Sequence, residues 1–154
     1  MTWLFQSDTV LKAVRHVDND ILKWHVNNVA YPDSSEIVPY EYGTIFNNRT
    51  GLTQLLSRKD AAYFAEQINS QRRNKWNLKN KRIRLYDTVE LVNNRLETIL
   101  FSYSLPLISI NGKYAVIVEA FYCGLVCGGG YYNLYERQED NTWRKVKSFN
   151  EWAE

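Results

Sequence analysis

The sequence predicts an α+β fold: N-terminal helices packed on a twisted antiparallel sheet dominated by a C-terminal β-meander. Three observations carry that expectation. Before about residue 80, apolar residues recur at three- and four-residue steps, the spacing of a helix face. From Ile83 onward the pattern becomes short apolar and aromatic runs separated by turn residues. The 154 residues suit one domain (1–154), with a mainly helical half at 1–80 and a β-meander half at 83–150.

The first expected helix runs from Asp8 to about Val26. Val10, Leu11, Val14, Val17, Ile21, Leu22 and Trp24 supply its apolar face, and Asp8 can cap its free amides. Asp18-Asn19-Asp20 can divide it in two. Residues 27–35 are turn chemistry. Residues 36–46 read as a strand, and Pro39 makes it an edge strand or an irregular segment because proline cannot donate to a ladder.

The second helix has the clearer start. Ser57-Arg58-Lys59-Asp60 resembles a capping box with Asp in the acidic position. Ala61, Phe64, Ala65 and Ile68 form its inner face. Arg72, Arg73 and Lys75 bring positive charge to its C-terminal end, where the helix dipole favours it.

Five strands are expected after it, at 83–92, 98–110, 113–123, 131–137 and 143–149. Asn111-Gly112 suits a two-residue type I′ hairpin turn, because both residues tolerate positive φ. Glu139-Asp140-Asn141 marks a second turn. Pro106 suggests an edge or a bulge within 98–110. In Tyr114–Phe121 both faces are apolar apart from Glu119. That strand should be central and covered on both sides, with Glu119 on the sheet interior.

Composition excludes some function classes. Hydrophobic residues are 45% and charged residues 23%, which is ordinary for a folded domain and too apolar for a disordered one. Net charge is +2, too weak to require a nucleic-acid partner. Aromatic content is high at 14%, which suits half-buried sheet faces and binding surfaces alike. No apolar run approaches the roughly 18 residues of a membrane span. No secretory signal is visible after Met1, so the expected compartment is the cytoplasm, with reduced thiols.

The stretch Tyr122–Tyr132 holds both cysteines, four of the seven glycines and three of the eleven tyrosines. On a straight strand, Cys123 and Cys127 would lie about 13 Å apart, beyond the roughly 7 Å Cα limit for a disulfide. A turn or bulge between them would bring them together. A redox pair would normally be Cys-x-x-Cys at a helix N-terminus. A zinc site needs about two more ligands, and His16 and His25 are the two histidines in the chain. A catalytic Cys–His pair has no local support. The preferred reading is a structural bend made by Cys123, Gly124, Cys127, Gly128, Gly129 and Gly130, with two small buried thiols; a structural disulfide is the alternative. Gly128-Gly129-Gly130 lacks the Lys-Ser/Thr of a phosphate loop, and a strand follows it.

Arg72, Arg73, Lys75, Lys79, Lys81, Arg82 and Arg84 lie within thirteen residues, interleaved with Trp76. Such a segment can track a phosphate backbone with Trp76 stacked on a base. It can equally steer an acidic protein surface. Acidic residues gather elsewhere, at Glu136, Glu139, Asp140, Glu151 and Glu154. Glu41, Glu66, Glu90, Glu97 and Glu119 are candidate catalytic carboxylates by type only, since no spacing pairs them.

Residues 102–109 (Ser-Tyr-Ser-Leu-Pro-Leu-Ile-Ser), Lys113–Ile117, Tyr122–Gly130, Leu134-Tyr135-Glu136 and Trp143–Val146 together resemble a pattern of uncharacterised proteins from Bacteroidetes-type bacteria. Ser57–Gln67 followed by Trp76 resembles the helical portion preceding that module, so the resemblance spans about residues 55–150. It implies no activity. Members often look secreted or lipid-anchored, and in that setting the two cysteines could pair.

The function expected from these features is a non-enzymatic protein-binding module. Its most concrete form is a cytoplasmic immunity protein or antitoxin that neutralises a cognate bacterial toxin with an acidic surface. Arg72, Arg73, Trp76, Tyr131 and Tyr132 are the expected contacts, because Tyr, Trp and Arg dominate interface hot spots. No catalytic residue, metal or cofactor is assigned. The alternatives are a nucleic-acid binder using residues 72–84 and a thiol-dependent enzyme or redox protein at Cys123 and Cys127.

Overall fold

The computed structural model describes residues 15–29, 31, 45–46, 50–78, 83–87, 99–124 and 127–153. Among them, one helix, α1 (Arg58–Ser70), packs on a mixed sheet of seven strands. The strands are β1 (Arg15–Asp18), β2 (Ile83–Tyr86), β3 (Leu100–Tyr103), β4 (Leu107–Ile108), β5 (Tyr114–Gly124), β6 (Cys127–Arg137) and β7 (Trp143–Ala153). Their order is β2-β1-β3-β5-β6-β7, with β4 also pairing β5. The fold is α+β with a C-terminal meander, as expected, but it is more sheet-dominated than the sequence pattern suggests.

The main correction lies at the N-terminal side. Residues 15–18 form a strand and not part of a helix, and β1 runs parallel to both β2 and β3. The sheet is therefore mixed, where an antiparallel one was expected. Residues 8–14 of the expected helix lie outside the described residues. The apolar spacing did mark buried positions: Val17, Ile21 and Trp24 are all buried. They serve two different cores, however. Val17 and Ile21 join Trp76, Tyr103 and Ile117, whereas Trp24 joins Phe46, Phe64, Val116 and Leu134. A helix would present such residues on one face; an extended path delivers them to both faces of the sheet. Residues 36–44 of the expected strand 36–46 are likewise outside the described residues. Ile45 and Phe46 form a bend and are buried in the core under α1.

Strand β5 is central and covered on both faces. Tyr114 and Val116 point into the core beneath α1, and Ile117 points into the other. Glu119 sits on the sheet interior at 7% exposure. Pro106 falls between β3 and β4. Tyr103 pairs with Glu119 and Leu107 with Val116, so four steps on one strand oppose three on the other. That extra residue is a bulge in the sense expected of the proline. The Ser104 hydroxyl keeps the ladder satisfied there by accepting from Val118 N at 2.9 Å.

The β4–β5 connection differs from the expected type I′ turn. Gly112 has φ 69°, but Asn111 is not in the positive-φ region. Gly112 N donates to Ser109 O at 2.8 Å. The Asn111 carboxamide oxygen accepts from Ser109 Oγ at 2.7 Å and from Lys113 N at 2.9 Å. This local side-chain bonding fixes a longer loop around Asn111 and removes its need for positive φ. The Glu139–Asn141 turn joins β6 and β7 as expected, with Asn141 at φ 64°.

Helix α1 begins as its sequence dictates. Ser57 Oγ accepts from Asp60 N, and Asp60 Oδ2 accepts from Ser57 N at 2.8 Å, which completes the capping box. Ala61 and Phe64 are buried, and Ala65 and Ile68 pack against the same core.

Candidate functional site

The sequence-selected residues do not form one surface. Trp76 is 5% exposed and packs with Val17, Ile21, Tyr103 and Ile117. Its indole N–H makes no hydrogen bond. Tyr132 is 7% exposed among Trp24, Phe149 and Trp152, and burial raises its phenol pKa. Both were expected as contact residues, and both are core residues in this fold. An indole inside the sheet cannot stack on a base, and a buried phenol cannot form a rim.

Tyr131 is half-buried. Its hydroxyl donates to Glu119 Oε1 at 2.9 Å, and the Lys145 ammonium lies 5.8 Å from its ring centroid. Asn133 donates to Glu119 Oε2 at 3.3 Å, and Ser148 Oγ donates to Asn133 Oδ1 at 2.7 Å. These groups form a polar chain across β5, β6 and β7 on the face opposite α1. This chain joins the carboxylate to a phenol and an amide.

The basic segment is divided by its local contacts. Arg72 donates to Asn69 O at 2.6 Å, so its guanidinium caps the carbonyl end of α1. Lys75 lies 2.7 Å from Asp87, and that hydrogen bond raises the lysine pKa and lowers the aspartate pKa. Arg84 is exposed on β2. Residues 79–82 lie outside the described residues.

Arg73 stands apart from this pattern. It is exposed on the strip that follows α1, and it lines a cleft of about 190 Å³ together with Lys23, Gln71 and Asn74. Ile21, Trp24 and Ile68 line the apolar part of the same cleft. Among the described residues, two cations and no carboxylate line it. Backbone pairing makes these walls firm. Ile21 N donates to Asn74 O at 2.8 Å, Trp76 N to Asn19 O at 2.9 Å and Leu22 N to Tyr103 O at 3.0 Å. Trp24 Nε1 donates to Leu105 O at 2.7 Å, which fixes the indole. Lys23 was not singled out from the sequence. It belongs to a segment whose pattern suggested a helix, and its meeting with Arg73 depends on long-range pairing.

The cysteine stretch is a hairpin end. Cys123 and Cys127 form a disulfide with Cα atoms 5.1 Å apart. Tyr122 pairs with Gly128 and Gly124 with Cys127, so Cys123 is the extra residue of a β-bulge. The bulge supplies the approach that a straight strand could not. The preferred picture of two buried thiols is thereby replaced: Cys127 is exposed and Cys123 half-buried. Gly128, Gly129 and Gly130 lie within β6 and not in a bend, and none has positive φ. A Cβ at Gly130 would lie 2.3 Å from Trp152 Cζ2 and 2.6 Å from Glu119 O, and one at Gly129 would lie 2.5 Å from Trp152 O. Their requirement is close approach by β5 and β7.

Among the described residues, no group of three or more His, Cys, Asp or Glu side chains could hold a metal ion. No described helix is long and apolar enough to cross a membrane. Comparison with protein-family models, with curated proteins and with solved structures finds no match for this chain.

Proposed function

We propose that this chain is a non-enzymatic protein-binding module whose cleft beside the end of α1 receives an acidic segment of another protein. One observation carries the reading: Lys23 and Arg73 flank a firm, mainly polar cleft with Ile21, Trp24 and Ile68 among its walls, and no carboxylate is among the described residues that line it. A cleft of about 190 Å³ is smaller than the roughly 300–1,000 Å³ of a typical small-molecule site. It fits one or two side chains of a docked protein better than a cofactor. Exposed cations contribute about 0–1 kcal/mol each to affinity, but they steer encounter and select an acidic partner.

The most concrete form of this reading is an immunity protein or antitoxin that covers a cognate bacterial toxin. The contact set narrows to Lys23, Arg73 and the adjoining Arg72. A nucleic-acid role has less support, because the ring that would stack is in the core and Lys75 is engaged by Asp87.

The test is binding to an acidic peptide that carries one leucine or phenylalanine anchor, followed by Trp24 fluorescence. Binding should weaken at least tenfold in Lys23→Glu/Arg73→Glu and decline with salt. Equal binding by the wild type and the charge-reversed protein would remove the cleft as the site. Protection of cells from a toxin encoded beside this chain, lost in the same variant, would support the immunity form.

A further inference from the structure

The Cys123–Cys127 disulfide lies outside both apolar cores, at the turn end of the β5–β6 hairpin. It encloses only residues 124–126, one of the shortest rings a disulfide can close. The entropy that a cross-link removes from the unfolded chain grows with ring length, so this bond restrains the unfolded ensemble less than a long-range cross-link would. The strands it joins are held by other means. Nine residue pairs from Tyr114↔Glu136 to Tyr122↔Gly128 precede the bulge without interruption. The close seating of Trp152 on Gly130 locks the β6–β7 side. The bond therefore has the placement of a local latch and not of a staple for the fold.

Accessibility is asymmetric across the pair. Cys127 is exposed and Cys123 half-buried. A thiolate arriving from solvent therefore meets Cys127 first. We infer that this disulfide is a redox site, reduced by a dithiol through thiol–disulfide exchange while the domain stays folded. One thiolate of the dithiol attacks Cys127 Sγ. The Cys123–Cys127 bond breaks as a mixed disulfide forms, and Cys123 leaves as a thiolate that takes a proton. The second thiol of the reductant, deprotonated, then attacks its own sulfur in the mixed disulfide and releases Cys127 as a thiolate, which is protonated in turn. Two electrons and two protons pass to the protein, and the reductant ends as a disulfide. Reduction frees the bulge at Cys123 and loosens the hairpin end around Tyr122, which is 50% exposed.

The experiment uses the oxidised full chain in native buffer with dithiothreitol, thiol alkylation counted by mass, and thermal unfolding of both forms. Two thiols should appear within minutes, and Tm should fall by less than about 10 °C. Faster hydrogen exchange should be confined to residues 121–130. Thiols that appear only when denaturant unfolds the chain would overturn the proposal. So would a reduced protein that is unfolded at 25 °C. Cys123→Ala/Cys127→Ala provides an independent check, since it should fold and match the reduced form in Tm.

Discussion

The Trp152 ring lies where a side chain at Gly130 would have to be: a Cβ there would sit 2.3 Å from Cζ2 and 2.5 Å from Cη2. The opposite boundary is rigid, because Glu119 O would lie 2.6 Å away. Trp152 also packs edge-on against Tyr132 with ring centroids 6.0 Å apart, which ties this contact to the core under α1. Gly130→Val must displace either the indole or the β5 backbone. Overpacking of this kind costs about 1–3 kcal/mol and more where backbone must move. Gly129→Val meets backbone as well, with Trp152 O at 2.5 Å. Each substitution should lower the urea midpoint more than Cys123→Ala/Cys127→Ala does. A double-cysteine variant that is the less stable protein would reverse this ranking.

A single carboxylate joins α1 to the sheet, and its titration should be visible. Asp60 Oδ1 accepts from Ile110 N at 3.0 Å while Oδ2 holds the capping box. Burial works to raise its pKa, but the hydrogen bonds from Ser57 and Ile110 outweigh burial and lower it. The stability this carboxylate supplies is therefore complete above the unfolded aspartate value of about 3.9 and is lost as pH falls through the lower folded value. Asp18 has the opposite sign: burial first, then repulsion from Asp20 and Asp87, raises its pKa. Its ionised form opposes folding, and that opposition fades as pH falls through the raised value. Asp60→Asn should cost about 1–2 kcal/mol at pH 7 and flatten the acid limb below about pH 4. Asp18→Asn should stabilise the protein at pH 7. Urea titrations from pH 2 to 8 separate the two, and parallel wild-type and Asp60→Asn curves would refute the assignment.

Trp76 is large, 5% exposed and carries an indole N–H with no acceptor. An unpaired buried donor costs about 1–3 kcal/mol. Trp76→Phe keeps most of the packing and removes that donor, so its net effect should lie within about 1 kcal/mol of neutral. Trp76→Ala should cost about 3–5 kcal/mol through lost burial and the cavity left behind. If Trp76→Phe were as damaging as Trp76→Ala, the indole nitrogen would have a role that the packing does not explain.

Local signals are legible in the sequence where the chemistry is local. The Ser57–Asp60 capping box, the apolar face of α1, the central strand with Glu119 inside it and the Glu139–Asn141 turn all rest on neighbours in sequence. Readings failed where distant strands decide. Val17, Ile21 and Trp24 have helical spacing, yet parallel pairing of β1 with β2 and β3 commits Val17 to a strand. Trp76 and Tyr132 carry polar tips and resemble binding residues, and nothing local reveals that two cores enclose them. The bulge that could bring the cysteines together is legible in the sequence and is present at Cys123; the expectation of two buried thiols rests on the expected compartment and not on local geometry, and the disulfide replaces it. The cleft combines residues 21–24 with 68–74, so only the folded chain displays it.

Glu119 tests whether the polar chain on the second face acts as a unit. The carboxylate is 7% exposed, and Asn133, which donates to it, is 1% exposed. Ser148 is exposed and can turn to water if Asn133 is replaced. Glu119→Leu leaves the Asn133 amide without its described acceptor, a loss of about 1–3 kcal/mol. Asn133→Leu removes one donor from a buried carboxylate and should cost a similar amount. Once one partner is gone the other no longer has that bond to lose, so the double variant should cost less than the sum. Groups in contact show coupling of about 0.5–3 kcal/mol, against about 0.3–0.5 kcal/mol of scatter for independent sites. Urea unfolding of the four proteins in the cycle measures this coupling. Additive costs would mean that the 3.3 Å contact contributes nothing of its own, and that Glu119 and Asn133 are held by their other neighbours.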